Sequence, residues 1–250
     1  MEDTILKPLY SPPRTLRDKP THYCAGCGHG IVHRILAEII DELGIREKTI
    51  GIAPVGCAVI AYEYFNVDMM EAPHGRPPAV ATGIKRSLPD RIVFTYQGDG
   101  DLLAIGIGEL IHTASRGENI TVVFINNSLY GMTGGQMAPT TLPGQKTATT
   151  PRGREMRGEG HPLDVISLIE NFPGVSYLAR GTLTSPSTVR RVKNYIRKAF
   201  QCQIEEKGFS LVEVLSPCPV NLRMDPSDAL RWVKDNLEKI YPPGEYKVWK

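Results

Sequence analysis

The sequence predicts an α/β protein, a mostly parallel sheet flanked by helices, on three observations. Apolar, β-branched runs alternate with segments of helical spacing along the chain. Two of those runs end in polar turns: residues 91–96 lead into Gly98-Asp99-Gly100-Asp101, and residues 120–125 into Asn126-Asn127. The chain has 250 residues, 41% of them hydrophobic, enough to bury one large core. There are no repeats and no low-complexity linker, so residues 21–250 are read as a single domain behind an arm of residues 1–20.

The elements follow in order. Pro8, Pro12, Pro13 and Pro20 make residues 1–20 an extended arm that could pack on a partner. Ile31, Ile35, Ile39 and Leu43 give residues 30–43 one apolar helical stripe. Residues 50–56 read as a strand, as do 91–96 and 120–125. A helix over 102–115 joins the last two, which makes them parallel and brings Asp99 and Asn127 to one sheet edge. That edge is where α/β proteins bind ligands. An aspartate and an asparagine oxygen there suit a hard cation such as magnesium, and the glycines let backbone N–H groups approach phosphate. The helix N-terminus after the turn would face that phosphate. Residues 129–161 are rich in glycine, threonine and proline without periodicity; a loop this long is usually functional, and could cover a ligand or meet a partner. Pro186 opens a helix over 187–206, 209–215 is a strand, and 225–240 is amphipathic.

Composition excludes several classes. A net charge of +2 does not suggest a nucleic-acid partner. No apolar run reaches the roughly 18–20 residues that span a bilayer. The N-terminal residues lack a secretion signal, so a cytoplasmic protein is expected. In that compartment the five cysteines are thiols or metal ligands rather than disulfides.

Four cysteines form a second constellation. Cys24 and Cys27 make a C-x-x-C; Cys57 and Cys218 each follow a strand. If both strands belong to one parallel sheet, Cys57 and Cys218 meet at its ligand edge. Four thiolates suit a [4Fe–4S] cluster or a structural zinc. A thioredoxin-like pair is a further reading of the C-x-x-C, but no strand precedes it as expected. Cys57 follows a turn near the Gly98–Asp101 turn, and a redox group has a purpose beside a reaction centre, which favours iron–sulfur over zinc. Cys202, alone in a helical stretch, reads as a packed hydrophobe.

The Gly98-Asp-Gly100 opening and the Asn126-Asn127 close resemble the thiamine diphosphate motif. With Tyr23-Cys-Ala-Gly-Cys-Gly-His-Gly30, Val55-Gly-Cys57, His74-Gly-Arg76, Thr133-Gly-Gly-Gln136 and Ser216-Pro-Cys-Pro219, the chain resembles the β subunit of the 2-oxoacid:ferredoxin oxidoreductases over nearly its whole length. Residues 54–66 and 72–85 look most like the branch acting on 2-oxoisovalerate and related branched-chain acids.

The resemblance implies a thiamine diphosphate-binding fold. It implies that the Asp99 carboxylate, the Asn127 side chain and the Leu129 carbonyl ligate magnesium. Val55, Gly56, Cys57 and Ala58, with Gly98, Gly100 and Asp101, would line the cofactor, and Cys24, Cys27, Cys57 and Cys218 would hold a [4Fe–4S] cluster. His74 is a candidate for contact with the diphosphate or the substrate carboxylate, or simply a histidine at a helix start. Arg76 could pair with an anion or solvate a surface. The implied reaction is oxidative decarboxylation of a 2-oxoacid to an acyl-CoA and carbon dioxide, with electrons passing through the cluster to ferredoxin. Residues after Cys57 would face the acid; Ala58, Val59 and Ile60 carry no charge, which favours 2-oxoisovalerate over 2-oxoglutarate, with pyruvate a further alternative. A chain of this length has room for the diphosphate half-site only, so a heteromer is expected. Its partners would be α/γ-type subunits, a ferredoxin-like δ subunit and ferredoxin. A non-redox thiamine decarboxylase and an electron-transfer subunit without thiamine are the competing readings.

Overall fold

A computed structural model describes residues 11–249. In chain order these contain α1 (His29–Glu42), β1 (Thr49–Ala53), β2 (Asp68–Glu71), α2 (Pro77–Ser87), β3 (Ile92–Gly98), α3 (Ile107–Arg116), β4 (Thr121–Asn126), β5 (Leu129–Tyr130) and β6 (Gln136–Met137). Then come α4 (Met156–Glu159), α5 (Val165–Ile169), β7 (Val175–Thr182), α6 (Pro186–Ile204), β8 (Phe209–Leu215), α7 (Pro219–Leu222), α8 (Pro226–Trp232), α9 (Glu238–Ile240) and β9 (Gly244–Lys247).

Seven strands form one sheet in the order β2-β1-β3-β4-β8-β7-β9, with β5 and β6 a separate hairpin. Every neighbour in the large sheet is parallel except β9, which runs antiparallel to β7 at the edge. β4 and β8 are buried at every residue, and β3 at all but its last. They can be, because helices cover both faces. On one face Ile35, Leu36 and Ile39 of α1 and Val192, Ile196 and Phe200 of α6 join Phe94, Val123 and Val212 of the sheet. On the other, Leu110 of α3 and Ile166 and Ile169 of α5 pack with Val93, Phe124 and Leu211. The register puts three strand ends level: Gly98 is opposite Ile125, and Asn126 opposite Leu215.

The structure departs from the sequence reading in four places. The expected helix over 102–115 is two pieces, a wide turn at Asp101–Ile105 and then α3, because Gly106 is pressed against the Gly75 carbonyl oxygen, 2.6 Å from where a Cβ would stand. Residues 1–10 of the arm, with Pro8, lie outside the described residues. Residues 11–20 pack on the chain's own surface: Leu16 bridges to Phe65, and the Thr15 hydroxyl donates to Asp41 Oδ1 at 2.6 Å. Residues 129–161 are not a loose loop. Arg154, 6% exposed, donates to the carbonyls of Pro139 (2.9 Å), Thr141 (2.5 Å), Glu159 (3.2 Å), Gly160 (3.0 Å) and His161 (3.0 Å) and so gathers the segment on itself. Finally, residues 175–182, to which the sequence reading assigns no element, form β7, with Arg180 inside the strand.

That arginine is satisfied. Arg180 is fully buried; its Nε donates to Glu213 Oε2 at 2.6 Å and its Nη2 to Asp164 Oδ1 at 2.5 Å. Glu213 also accepts from Asn126 Nδ2 at 2.7 Å. Removing the central carboxylate leaves a buried cation half-paired, which costs about 3–5 kcal/mol. Glu213→Ala should therefore lower the unfolding free energy measured by urea titration by that amount, and Glu213→Gln by less. A Glu213→Ala protein as stable as its parent would refute this account of the core.

Candidate active site and cysteine cluster

The chain leaves β1 outward to β2 and returns on the other side of β1 to form β3. The loops after β1 and β3 therefore diverge at a topological switch point, where open α/β sheets hold their ligands. Asp101, 3% exposed, ties this crevice together. Its Oδ1 accepts from the Gly75 N–H at 3.0 Å and the Val55 N–H at 3.4 Å, and its Oδ2 accepts from Gln97 Nε2 at 2.5 Å. His74 Nδ1 lies 2.5 Å from the same Oδ1, though off the line of a hydrogen bond. Asp101 lines the cavity, as expected, but its carboxylate is occupied by protein donors.

Asp99 follows β3 and is 2% exposed. The Gly100 N–H donates to its Oδ1 at 2.8 Å, and the Thr140 hydroxyl donates to Oδ2. Burial outweighs these donors and pushes its pKa up to about 7. Asn127 follows β4. Its Oδ1 accepts from the Leu129 N–H at 3.3 Å, and the loop bends through Ser128 at φ 61°. Asn126 sets the bend: its Oδ1 accepts the Ser128 N–H at 3.1 Å while its Nδ2 is held by Glu213.

A cavity of about 120 Å³ lies over these turns. Val55, Gly56, Cys57, Ala58, His74, Gly98, Asp99, Gly100, Asp101, Asn127 and Leu129 all line it. So do His29, Pro54, Tyr130, Gly131, Met132 and Thr133, which the sequence reading did not assign to the cofactor. His29 could have been found from its place two residues after Cys27; Tyr130, whose hydroxyl donates to the Gly100 carbonyl at 3.1 Å, carried no local signal. Val59 and Ile60, expected beside the acid, do not line it, and Arg76 does not either: it pairs with Glu109. Among the described residues, no lysine or arginine lines the cavity. A larger hollow of about 710 Å³ opens between residues 134–151 and 220–236; Gly134 and Gly135 of the Thr133–Gln136 motif line it, but none of the residues assigned to cofactor, magnesium or cluster do.

The Asn127 loop and two of the cysteines meet at Gly131. A Cβ there would stand 3.1 Å from Cys57 Sγ, 3.6 Å from Asn127 Nδ2 and 3.7 Å from Cys218 Sγ. Asn221 Nδ2 donates to the Gly131 carbonyl at 2.8 Å and to Cys218 Sγ at 3.3 Å, pinning the two segments together. Burial, reinforced by the neighbouring cysteines, pushes the Cys27 thiol up to about 11 and Cys57 up to about 12. All five cysteines are free, and Cys202 is buried in the core as a packed side chain. Among the described residues, no three His, Cys, Asp or Glu side chains surround one point closely enough for a single ion. What fits a cluster is the donor set: four free thiols, of which Cys57 lines the cavity and stands with Cys218 beside Gly131. What fits a thiamine diphosphate–magnesium pair is the buried Asp99, short of countercharge, beside the Asn127 loop and glycines that leave the backbone open.

Residues 54–214 match the thiamine pyrophosphate enzyme family, C-terminal TPP binding domain. The 2-oxoglutarate synthase subunit KorB of Archaeoglobus fulgidus is 40% identical over 220 residues, 88% of this chain and 78% of that protein. This chain belongs to the thiamine pyrophosphate-binding subunits of the 2-oxoacid oxidoreductases. Within that family, the ketoisovalerate oxidoreductase subunit VorA of Methanothermobacter thermautotrophicus is 50% identical over 227 residues, 91% of this chain. The chain spans about half the length of VorA, 48%. A solved structure, 2-oxoglutarate:ferredoxin oxidoreductase from Magnetococcus marinus with 2-oxoglutarate, coenzyme A and succinyl-CoA bound, superposes with a TM-score of 0.81 at 27% identity, covering 97% of this chain and 86% of that one. The fold described above is thus a shared family framework. Cys24, Cys27 and Cys218 lie outside the span matched by the TPP-binding domain.

The raised Asp99 pKa has a direct consequence. An unfolded aspartate titrates near about 3.9, so the folded, metal-free chain holds this proton more tightly. The stability this confers is full below about pH 4 and is lost as pH rises through about 7. Without divalent cations, Asp99→Asn should melt higher than the parent at about pH 8 and match it near about pH 4. Magnesium should raise the melting temperature of the parent and not of the variant. Thermal scans in chelator across this range check both.

Proposed function

We propose that this chain is the thiamine diphosphate-binding catalytic subunit of an oxidoreductase that oxidatively decarboxylates a branched-chain 2-oxoacid to its acyl-CoA. Electrons pass through a [4Fe–4S] cluster to ferredoxin. The observation that carries this reading is the meeting at Gly131 of Asn127 with Cys57 and Cys218. A diphosphate anchor alone fits a non-redox enzyme, and a cysteine set alone fits an electron carrier; their contact links decarboxylation to electron removal.

In this reading the Asp99 carboxylate, the Asn127 side-chain oxygen and the Leu129 carbonyl hold magnesium, whose charge keeps Asp99 ionised despite its burial. Gly98 and Gly100 let the backbone approach the diphosphate. When bound, thiamine diphosphate supplies an electron sink for the carbanion left by loss of carbon dioxide. Cys24, Cys27, Cys57 and Cys218 would ligate the cluster, whose iron would offset the burial and repulsion that hold Cys27 and Cys57 protonated. His74 stands at the wall in reach of an anionic group, and Tyr130, edge-on to it at 6.4 Å, and Met132 would exclude water from the cavity.

Two features bear on partners and substrate. A cavity of about 120 Å³ is smaller than the roughly 300 Å³ at which ligand pockets begin, so the site needs a second wall. We assign that wall, with the glutamate that activates the aminopyrimidine, to an α/γ-type subunit, and carriage of electrons onward to a ferredoxin-like δ subunit and ferredoxin. Among the described residues no helix is long and apolar enough to cross a membrane, and free thiols accord with the cytoplasm. As for the acid, a second carboxylate would enter without a cation to meet it. A branched tail against Val55, Ala58 and Met132 would instead gain about 0.8 kcal/mol per buried CH₂. The ketoisovalerate name of the 50% identical relative points the same way.

Four measurements test this. In the anaerobically purified complex, serine at Cys24, Cys27, Cys57 or Cys218 should lower iron content and visible absorbance, while Cys202→Ser should not; stoichiometric zinc without iron would overturn the cluster. Asp99→Ala or Asn127→Ala should release thiamine diphosphate and abolish turnover with the fold intact. Across a panel of 2-oxoacids, kcat/KM should favour 2-oxoisovalerate over 2-oxoglutarate, and this chain without its partner subunits should reduce no viologen dye. Equal use of 2-oxoglutarate would refute the substrate, and robust activity of the isolated chain would refute the shared site.

A further inference from the structure

His29 lines the cavity beside Cys57, and the chemistry above gives it no task. It is 2% exposed, at the start of α1. Its ring is clamped on two sides: Tyr23 stacks on it at 4.8 Å and 14°, and Tyr96 meets it edge-on at 5.6 Å. Its Nδ1 lies 2.7 Å from the Tyr96 hydroxyl. Tyr96 is fully buried, and among the described residues that imidazole nitrogen is the acceptor its hydroxyl has. A buried O–H left without an acceptor is costly, so the phenol donates and Nδ1 accepts. The ring proton then sits on Nε2. Among the described residues Nε2 has no hydrogen-bond partner, so it is the ring nitrogen left to serve the cavity.

We propose that His29 donates its Nε2–H to the 2-oxo oxygen of the substrate, and that Tyr96 is the positioning residue that holds the proton on that nitrogen. This rests on the 2-oxoacid reading given above. The chemistry favours this oxygen over the diphosphate. In the proposed site the diphosphate is met by magnesium at Asp99 and Asn127 and by backbone N–H groups of the glycine turn. His29 enters the same cavity from α1 and offers a single N–H, which suits an oxygen that carries no formal charge until the keto carbon is attacked. The carboxylate of the acid departs, whereas its keto oxygen gains negative charge when the keto carbon is attacked. A neutral, fixed N–H aimed at an oxygen where charge develops stabilises the transition state more than the ground state, without transferring a proton.

The test uses the assembled, cofactor-loaded complex and N,N-dimethyloxamate, an unreactive isostere of 2-oxoisovalerate that keeps the carbonyl oxygen. Iron and thiamine content of His29→Ala should match the parent, because the backbone N–H of residue 29, not its side chain, reaches Cys27. Calorimetry should show the analogue bound about tenfold more weakly by His29→Ala, the loss of one good hydrogen bond. Its kcat should fall about 100-fold, more than binding does, because the donor matters most once charge develops. His29→Asn, which keeps an N–H, should recover part of both. Tyr96→Phe should weaken both in the same ratio, by a smaller factor. A fully loaded His29→Ala complex with parental analogue binding and kcat would overturn the proposal, and an unaffected Tyr96→Phe would overturn the part given to Tyr96. If the parent complex itself neither bound the analogue nor turned over 2-oxoacids, the functional reading would fail instead.

Discussion

The buried carboxylate of Asp101 is the constraint around which the crevice is organised. A carboxylate taken out of water must be met by donors. The donors it finds are the Gly75 and Val55 N–H groups and Gln97 Nε2, from three different segments. Satisfying one side chain thus fixes the loop after β1, the segment before α2 and the end of β3 relative to each other. Gly75 is locked further, since its backbone crowds Gly106 where the helical path breaks. The turn at Gly98–Asp101 is thereby tied to two neighbouring segments through one carboxylate.

A second buried network does the same on the far side of the cavity. Arg180 and Glu213 sit on adjacent parallel strands, and Glu213 reaches over to Asn126 at the end of β4. Asn126 in turn accepts from Ser128 and turns the chain so that Asn127 and Leu129 face the cavity. The Asn-Asn pair therefore divides its labour, the first asparagine bound to the core and the second free for the site. Thr140 reaches Asp99 from the segment that Arg154 gathers, so a stretch rich in glycine and threonine becomes part of the wall.

The cysteines show the opposite economy. No neighbour neutralises Cys27 or Cys57; burial first, then repulsion from the other cysteines, holds these two thiols protonated. Asp99 is likewise left short of countercharge. Groups kept in unfavourable electrostatic states at one edge of a sheet are what cation-binding sites present before they are filled. The fold tolerates them because stability comes from the two apolar layers that cover the sheet elsewhere.

Much of this was legible along the chain. The strand-and-turn pairs around Asp99 and Asn127, the parallel sheet and the four cysteines are local patterns. Periodicity and turn chemistry act over a few residues, so they can be read without a partner segment. What only the tertiary structure decided was long-range. Asp101 turned inward because Val55 and Gly75 approach it from 46 and 26 residues away. Arg180 became a core residue because Glu213 and Asp164 meet it there. Arg76, a candidate anion partner, was claimed by Glu109 on the neighbouring helix. Residues 129–161 looked irregular because what orders them is one arginine and five carbonyls, a pattern without period. His29 stood beside the cysteines in plain sight, but the hydroxyl that orients it comes from Tyr96, 67 residues on. The type of side chain at each position is set by the sequence; whether a charge is paired, buried or left facing a cavity depends on which distant segment folds against it.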